Sequence, residues 1–217
     1  MRELAGLGGY FAVETGPPEA GWRTLGDLLT GGDLIAARVD EVARRLGTGE
    51  RRVAASILFQ GLAARFWSPP IGLAVGHGLL LVLDPRTVLW RPVETGPLPL
   101  RLSAPATLPL SAEGLYAQVV DGLLEPLAAT LRAVVPLSPH IVWGNAASAM
   151  AGSLRMLPRS RRALDLGAGL LRLGRLRETG RFAGEPFFVR RSCCLYYRIP
   201  GGGICGDCVL AQDGRTA

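Results

Sequence analysis

Four cysteines in the last 25 residues constrain this chain more than any other feature of its sequence. Cys193, Cys194, Cys205 and Cys208 lie in the run SCCLYYRIPGGGICGDC, and residues 1–192 contain no cysteine. Cysteines used only for packing would be spread along the chain, whereas four thiolates gathered around a Pro-Gly-Gly-Gly turn describe one ligand shell. The sequence therefore predicts a metal centre near its C-terminal end.

The spacing of the cysteines favours a two-iron cluster over a single zinc ion. Cys205 and Cys208 form a CxxC, in which two sulfurs chelate one ion without strain. Neighbouring side chains of an extended backbone point to opposite sides, so Cys193 and Cys194 hold one tetrahedral ion only with local distortion. A cluster with two irons needs four thiolates, distributed as two pairs. The pattern CC-x10-CxxC thus indicates [2Fe-2S], with a structural zinc site as the alternative.

The residues around the cysteines suit a cluster that gains negative charge on reduction. The glycines after Pro200 can bend the chain back and bring N–H groups near the sulfur atoms. A [2Fe-2S] core with four thiolates carries a charge of about −2 when oxidised and about −3 when reduced. Arg190, Arg191 and Arg198 are therefore candidates for stabilising the reduced cluster, or for attracting an anionic substrate.

The charge of the chain lies at the same end as its cysteines. All 24 basic residues are arginine, which excludes a Schiff-base lysine and the lysine of a Walker A loop. Residues 158–217 carry 11 Arg and 5 acidic residues, an excess equal to the net charge of +6 of the whole chain. These arginines are not interleaved with stacking aromatics in a known nucleic-acid motif, so we expect no nucleic-acid partner.

The N-terminal sequence and the hydropathy predict a cytoplasmic protein. MRELAGLGGYFAVE lacks the cleavage site of a signal peptide. The longest apolar run, residues 71–83, has thirteen residues, fewer than the ~17–25 of a membrane helix, so no transmembrane segment is expected. In a reducing cytosol, clustered cysteines bind metal more readily than they form disulfides.

Periodicity predicts an α+β fold with a mainly α-helical body. One helical pattern follows Asp33 as an N-cap, and a second runs from about Glu50 to Phe66, where Ser68-Pro69-Pro70 interrupts or ends it. A third follows Ser111, with a break or kink at Pro126, and a fourth begins at Ser138-Pro139. The last covers Arg161 to Arg177, with Leu164, Leu171 and Leu176 on its apolar side. Three short apolar runs predict a small antiparallel meander near residues 78–102. Residues 1–32 are glycine-rich and carry no clear pattern. We expect a body at residues 1–184 and a cluster-binding segment at residues 185–217.

Two motifs resemble one known family. RRSCCLYYRIPGGGICGDCVL is similar to the C-terminal [2Fe-2S] signature of the FhuF-like ferric-siderophore reductases, and WGNAASAM at residues 143–150 resembles a helix of the same family. The resemblance implies a cytosolic enzyme that passes one electron to siderophore-bound Fe(III) and releases Fe(II), with the four cysteines as cluster ligands. A non-enzymatic electron carrier or iron and redox sensor is the alternative, and a siderophore-binding module without redox activity is a third reading. Residues 1–50 lie outside the clear match.

Other chemistry-bearing residues are sparse. His77 and His140 are the only histidines, and each is interpreted as either a satisfied core histidine or a histidine at the start of a helix. Asn145 interrupts a helical pattern, and a buried hydrogen bond between helices is favoured over substrate contact. Only GxG fragments occur, so no nicotinamide site is predicted and the electron must come from a partner such as a ferredoxin or a reduced flavin.

Overall fold

A computed structural model describes residues 2–184 and 187–211 of the protein. Helices dominate it, and short strands form three small sheets, so the predicted α+β class is confirmed. The helices are α1 Arg2–Gly6, α2 Leu25–Thr30, α3 Gly32–Leu46, α4 Arg51–His77, α5 Ala112–Tyr116, α6 Glu125–Val134, α7 Pro139–Arg155 and α8 Arg161–Leu170. The strands are β1 Glu14–Thr15, β2 Arg23–Thr24, β3 Leu79–Leu81, β4 Val88–Trp90, β5 Leu100–Leu102, β6 Thr107–Pro109, β7 Gly180–Phe182 and β8 Phe188–Arg190. Within residues 2–184 and 187–211, no helix is both long and apolar enough to cross a membrane.

Helix α4 is the central element, and it continues through Pro69 and Pro70, where the sequence predicts an end. The two prolines cannot donate to the carbonyls four residues earlier. The Ser68 hydroxyl donates to the Ala64 carbonyl at 2.7 Å and shares a hydrogen bond of 2.8 Å with Ser153 on α7. Every residue from 66 to 72 is buried. Tertiary packing on all sides thus outweighs the local preference of the two prolines.

Helix α7 packs along α4 and shares the core with it. Ser138 is its N-cap and Pro139 its first residue, as predicted. Its buried face is rich in small side chains, which lets the two helices approach closely. Helix α3 covers α4 from another side through Ile35 and Val39. The predicted N-cap Asp33 is wrong, because α3 begins at Gly32 and Asp33 lies in its first turn, where a carboxylate favours the helix dipole.

The predicted strands of the meander exist, but their pairing differs from the prediction. β4 and β5 pair antiparallel, with Leu89 opposite Arg101. β3 does not join them; it pairs with β6, which places Leu80 opposite Leu108. β4 and β5 are instead flanked by two strands of the N-terminal segment, in the order β1-β5-β4-β2, with β1 parallel to β5. Alternation along a strand predicts its faces and leaves its partner open.

The remaining helices follow the sequence prediction in part. Ser111 caps α5 by accepting from the Gly114 N–H, and a π-helical stretch, Ala117–Leu124, joins α5 to α6 just before Pro126. The helix predicted over residues 161–177 is too long, because α8 ends at Leu170 and only a 3-10 turn, Gly174–Leu176, follows. Leu164, predicted on its apolar side, is 51% exposed.

The N-terminal segment, which carries no clear sequence pattern, is tied to α4. The buried Arg65 guanidinium donates to the carbonyls of Leu98, Tyr10 and Ala12. A Cβ at Gly72 would lie 2.8 Å from Leu4, so α1 lies directly on this part of α4. A side chain at position 72 would displace the ends of the Leu4 and Phe11 side chains.

The C-terminal segment returns to the helical body through a strand pair. β7 and β8 are antiparallel, with Gly180 opposite Arg190, and β8 lies against α7. Of the predicted cluster segment 185–217, residues 185–186 and 212–217 lie outside the described part of the chain. The strands pair across the predicted boundary at residue 184, and the division into two parts stays a prediction.

Candidate metal centre

The cysteine loop follows β8 and folds back on itself through two tight turns. Leu195 has a left-handed backbone conformation, with a φ of 69°, and a 3-10 turn, Tyr196–Arg198, follows it. Gly201 and Gly203 also have positive φ values, which fit glycine and reverse the chain direction. The last turn closes with the Cys208 N–H donating to the Cys205 carbonyl at 3.2 Å. The CC pair and the CxxC pair are thereby brought to the same place.

The closest sulfur atoms come from different halves of the motif. Cys194 Sγ and Cys205 Sγ lie 3.4 Å apart. Two thiolates on one tetrahedral ion with metal–sulfur bonds of about 2.3 Å lie roughly 3.7 Å apart, so this pair suits shared coordination. Cys194 and Cys208 are buried, while Cys193 and Cys205 are partly exposed. Among residues 2–184 and 187–211, no three His, Cys, Asp or Glu side chains converge as they would around a single ion.

Backbone N–H groups of the CC turn donate to cysteine sulfur atoms. The Leu195 N–H donates to Cys193 Sγ at 3.3 Å, and the Tyr196 N–H lowers the pKa of Cys194 by hydrogen bonding to it. In the described turn, the Gly202 N–H donates instead to the Ile199 carbonyl. The strained backbone of Leu195 therefore aims donors at cysteine sulfur, and an approach of the N–H groups of residues 201–203 to the cluster sulfides stays a prediction.

The thiols differ in acidity because their surroundings differ. The hydrogen bond shared by the Cys194 and Cys205 sulfur atoms lowers the pKa of Cys194 and raises the pKa of Cys205. Burial is the main cause that raises the pKa of Cys193. The Arg190 guanidinium acts in the opposite sense and lowers the pKa of all three thiols. A cation thus lies within electrostatic reach of the sulfur atoms.

A buried hydrogen-bond network joins the loop to α4 and α7. Ser56 Oγ donates to the Cys194 carbonyl at 2.7 Å. Asn145 Nδ2 donates to Ser56 Oγ at 2.8 Å and to the Ser56 carbonyl at 2.9 Å. Arg190 Nη2 donates to Asn145 Oδ1 at 2.5 Å. The prediction that Asn145 makes a buried structural hydrogen bond is confirmed; its partners Ser56 and Arg190 are far apart in sequence.

The environment of the Arg190 side chain also fits an anionic cofactor. Its side chain is fully buried, and its Nε and Nη1 atoms have no hydrogen-bond partner among the described residues. Buried donors without partners are rare, and a buried cation needs an anion nearby. Two close sulfur atoms and these free donors fit a [2Fe-2S] cluster, whose sulfur atoms carry negative charge and accept hydrogen bonds.

Comparison with known proteins gives one finding. Residues 190–210 match the family model described as the FhuF 2Fe-2S C-terminal domain. Residues 190–210 are similar to this domain over the matched range, and we refer to them as the FhuF domain. The cofactor of the segment is therefore a [2Fe-2S] cluster, as predicted. A search of curated proteins finds no match to the chain.

The WGN motif docks the FhuF domain onto the helical body. A Cβ on Gly144 would lie 2.0 Å from Ser192 Oγ and would displace that hydroxyl, so α7 and the loop are in close contact at this glycine. Ser192 Oγ donates to the His140 carbonyl at 2.7 Å at the start of the same helix. Sequence reasoning missed Ser56 and Ser192, because a lone serine carries no signal until its distant partner is known.

The three arginines near the cysteines have different environments. Arg190 is buried, whereas Arg191 and Arg198 are exposed. Arg198 forms a two-point ion pair with Glu50 just before α4, with Nε–Oε1 and Nη2–Oε2 distances of 3.0 and 2.9 Å. Of the three arginines, only Arg190 lies in a low-dielectric environment, where electrostatic interactions are strongest.

A cavity of about 390 Å³ opens beside the FhuF domain. One wall is the turn between the CxxC cysteines, formed by Gly206 and Asp207. The remaining wall comes from α4, α7, the N-terminal segment and Phe187 and Phe188 at the start of β8, and most of it is apolar. Gln60 and Arg155 add polar groups, and the Gln60 side chain donates to Ser148 Oγ at 3.2 Å. The cavity has the apolar lining and few polar groups typical of a small-molecule site.

Neither histidine contributes to this centre. His77 ends α4 on the surface and pairs with Glu3 at 2.7 Å, so it is not the core residue that one reading of the sequence favours. His140 is an exposed residue of the first turn of α7, as the alternative reading predicts.

Proposed function

We propose that this protein is a cytosolic ferric-siderophore reductase. It takes one electron from an external donor and transfers it to siderophore-bound Fe(III), which leaves as Fe(II). The FhuF 2Fe-2S domain at residues 190–210 carries this proposal, because it supplies a redox group to a chain with no other visible redox cofactor motif in its sequence. Oxygen-donor chelators hold Fe(II) less tightly than Fe(III), so a single electron is sufficient for release.

The ligands in this proposal are Cys193, Cys194, Cys205 and Cys208. Their thiolates come from two turns that β8 and the Ser56 hydrogen bond fix against the helical body. When bound, the [2Fe-2S] cluster supplies a one-electron carrier. The chain contributes the N–H donors of Leu195 and Tyr196 and the buried Arg190 charge.

The cavity beside the CxxC turn is the proposed site of the ferric complex. Gly206 and Asp207 separate it from Cys205 and Cys208 by no more than the turn itself. The apolar walls can bury the hydrocarbon part of a chelator, and Gln60 and Arg155 offer polar contacts to it. The exposed Arg191 provides positive charge at the surface near the domain for an anionic complex.

The electron must reach the protein from outside. The sequence contains GxG fragments without the complete dinucleotide fingerprint. We propose a ferredoxin or a reduced flavin as the donor and expect no nucleic-acid partner. The segment from residue 185 to 217 is the proposed redox part of the chain and residues 1–184 the substrate-holding part.

Two measurements test this function in order. Iron, sulfide and zinc analysis of anaerobically reconstituted protein comes first, together with the EPR spectrum of the reduced state. We expect two irons and two sulfides per chain and a rhombic signal; a colourless protein holding one zinc would overturn the assignment. Serine variants of each of the four cysteines should lose the cluster, whereas a Ser103→Ala control far along the chain should keep it.

The second measurement separates a reductase from a carrier or sensor. Reduced protein is mixed with a ferric siderophore, and Fe(II) is trapped by a chelator in a single turnover. We expect oxidation of the protein and release of one Fe(II) per electron. A cluster that stays reduced with every ferric siderophore tried would leave a carrier or sensor in place of the enzyme.

A further inference from the structure

Arg190 is a buried cation, and the described residues satisfy only part of its hydrogen-bond donors and do not neutralise its charge. Its side chain has no exposed surface, and of its donors only Nη2 has a partner, the amide oxygen of Asn145. Nε and Nη1 are buried without a hydrogen-bond partner in residues 2–184 and 187–211. Asn145 is neutral, so the charge of the guanidinium is left for another group.

The orientation of Asn145 is determined by its neighbours on both sides. Its Nδ2 donates twice to Ser56, to the carbonyl and to Oγ. Its Oδ1 faces Arg190, which has donors only and cannot accept a hydrogen bond. Asn145 therefore holds Arg190 from the α7 side without neutralising it.

Both ends of this network return to the cysteine loop. Ser56 Oγ donates to the Cys194 carbonyl at 2.7 Å. The Arg190 backbone N–H donates to the Asp207 carbonyl, inside the CxxC turn, at 3.3 Å. The backbone of Arg190 is thus tied to the CxxC turn, and its guanidinium is linked to the CC turn through Asn145 and Ser56, with α4 and α7 as the support behind it.

We propose that Asn145 and Ser56 are positioning residues that hold the Arg190 guanidinium beside the cluster sulfur atoms and thereby raise the reduction potential of the cluster. The reduced cluster carries one more negative charge than the oxidised cluster, so a fixed buried cation stabilises the reduced form more. Hydrogen bonds to cluster sulfur act in the same direction. The WGN motif of α7 then sets the redox properties of a cluster that it does not ligate. This inference rests on the cluster and not on any ferric substrate.

The test is a potentiometric titration of the purified cluster protein, followed by visible absorption and EPR. Arg190→Gln removes the charge, and we expect the reduced-to-oxidised ratio at fixed solution potential to fall about tenfold or more, which equals about 59 mV per tenfold for one electron. Arg190→Lys keeps the charge and should recover most of that ratio. The matched control Arg191→Gln removes an exposed charge, and its effect should be less than about threefold because water and salt screen it.

Variants of Asn145 test whether it acts through Arg190. Asn145→Asp places a carboxylate against the guanidinium and cancels its charge, so the ratio should fall further than it does in Asn145→Ala. In an Arg190→Gln background, Asn145→Ala should have no further effect on the ratio. Additive shifts from these two changes would overturn the positioning role, as would an Arg190→Gln protein with a full cluster and an unchanged ratio.

The proposal can still be tested if one variant loses the cluster. If Arg190→Gln takes up no iron, the comparison of Asn145→Asp with Asn145→Ala decides, and equal ratios in these two proteins would overturn the proposal. Salt provides a measurement on the unchanged protein, because a potential set by buried Arg190 should change little with ionic strength, and a strong change would point to exposed charges instead. A protein that fails to reduce ferric siderophores but follows these shifts would refute the proposed function and leave this inference standing.

Discussion

Ser56 Oγ, on the central helix, lies 2.7 Å from the carbonyl oxygen of Cys194 and donates a hydrogen bond to it across 138 positions of sequence. This contact joins the first half of the cysteine motif to the interior of the helical body. It also holds Asn145, which donates to the same serine.

Ser56→Ala should loosen the cysteine loop. The change leaves a carbonyl of a buried residue without its donor, which costs about 1–3 kcal/mol in unfolding free energy. We expect this loss in denaturant unfolding, together with faster decay of the cluster absorption when a chelator is added. Ser111→Ala is the control: it removes an N-cap on α5 at a cost of about 1 kcal/mol and should leave the decay rate of the cluster unchanged. Equal cluster lifetimes in both variants would contradict the role given to Ser56.

Gly144→Ala should destabilise the native protein more than it destabilises the Ser192→Ala variant. The added Cβ displaces Ser192 Oγ, which then loses its hydrogen bond to the His140 carbonyl. Without that hydroxyl, the nearest contact of the new Cβ is Ser192 Cβ at 3.4 Å, an ordinary distance. The double-mutant cycle should give a coupling of about 1 kcal/mol. Additive effects in denaturant unfolding would show that α7 and the loop are not in close contact here.

Removal of iron should make Cys194 and Cys205 the first pair to oxidise. Their sulfur atoms are already 3.4 Å apart, and the hydrogen bond that they share lowers the pKa of Cys194, so the attacking thiolate persists below the ordinary thiol pKa of about 8.5. Mild oxidation of the apoprotein with diamide, followed by peptide mapping, should find this disulfide before any other. Reconstitution should then fail until a thiol reductant is added. A first disulfide within the CC or CxxC pair would contradict the observed pairing.

Arg198→Gln should have little effect on stability although its ion pair with Glu50 has two contacts. Both side chains are close to half exposed, so solvent screens the pair, and we expect only a small loss of stability. The small loss should vanish at high salt. The measurement is denaturant unfolding of the apoprotein at low and high ionic strength, with Arg191→Gln as the surface comparison. A large, salt-independent loss would show that the pair is effectively buried.

The sequence predicts the cofactor far better than it predicts the surroundings of the cofactor. The four cysteines and their spacing are local, and they are enough to indicate a two-iron cluster. Arg190 and Arg191 are neighbours of the same type, and nothing in the sequence says that one is buried and the other exposed. Only the packing of β8 on α7 separates them.

The errors in the predicted fold have a common physical cause. Pro69 and Pro70 indicate a helix end when only local donors are counted, yet complete burial keeps them inside α4. β3 reads as the first strand of a meander, yet its partner β6 lies beyond two other strands. Leu195 shows no local reason for a left-handed conformation. Each of these features depends on contacts that are distant in sequence.

The uninterrupted course of α4 has a consequence for the first fifty residues. At about 1.5 Å per residue, its 27 residues form a rod of roughly 40 Å. Ser56, near the start of the rod, supports the cysteine loop, while Arg65 and Gly72, farther along, hold the N-terminal segment. The glycine-rich beginning of the chain therefore packs on the same helix that supports the redox centre. A shortened protein that starts at α4 would expose the surface of α4 that this segment covers.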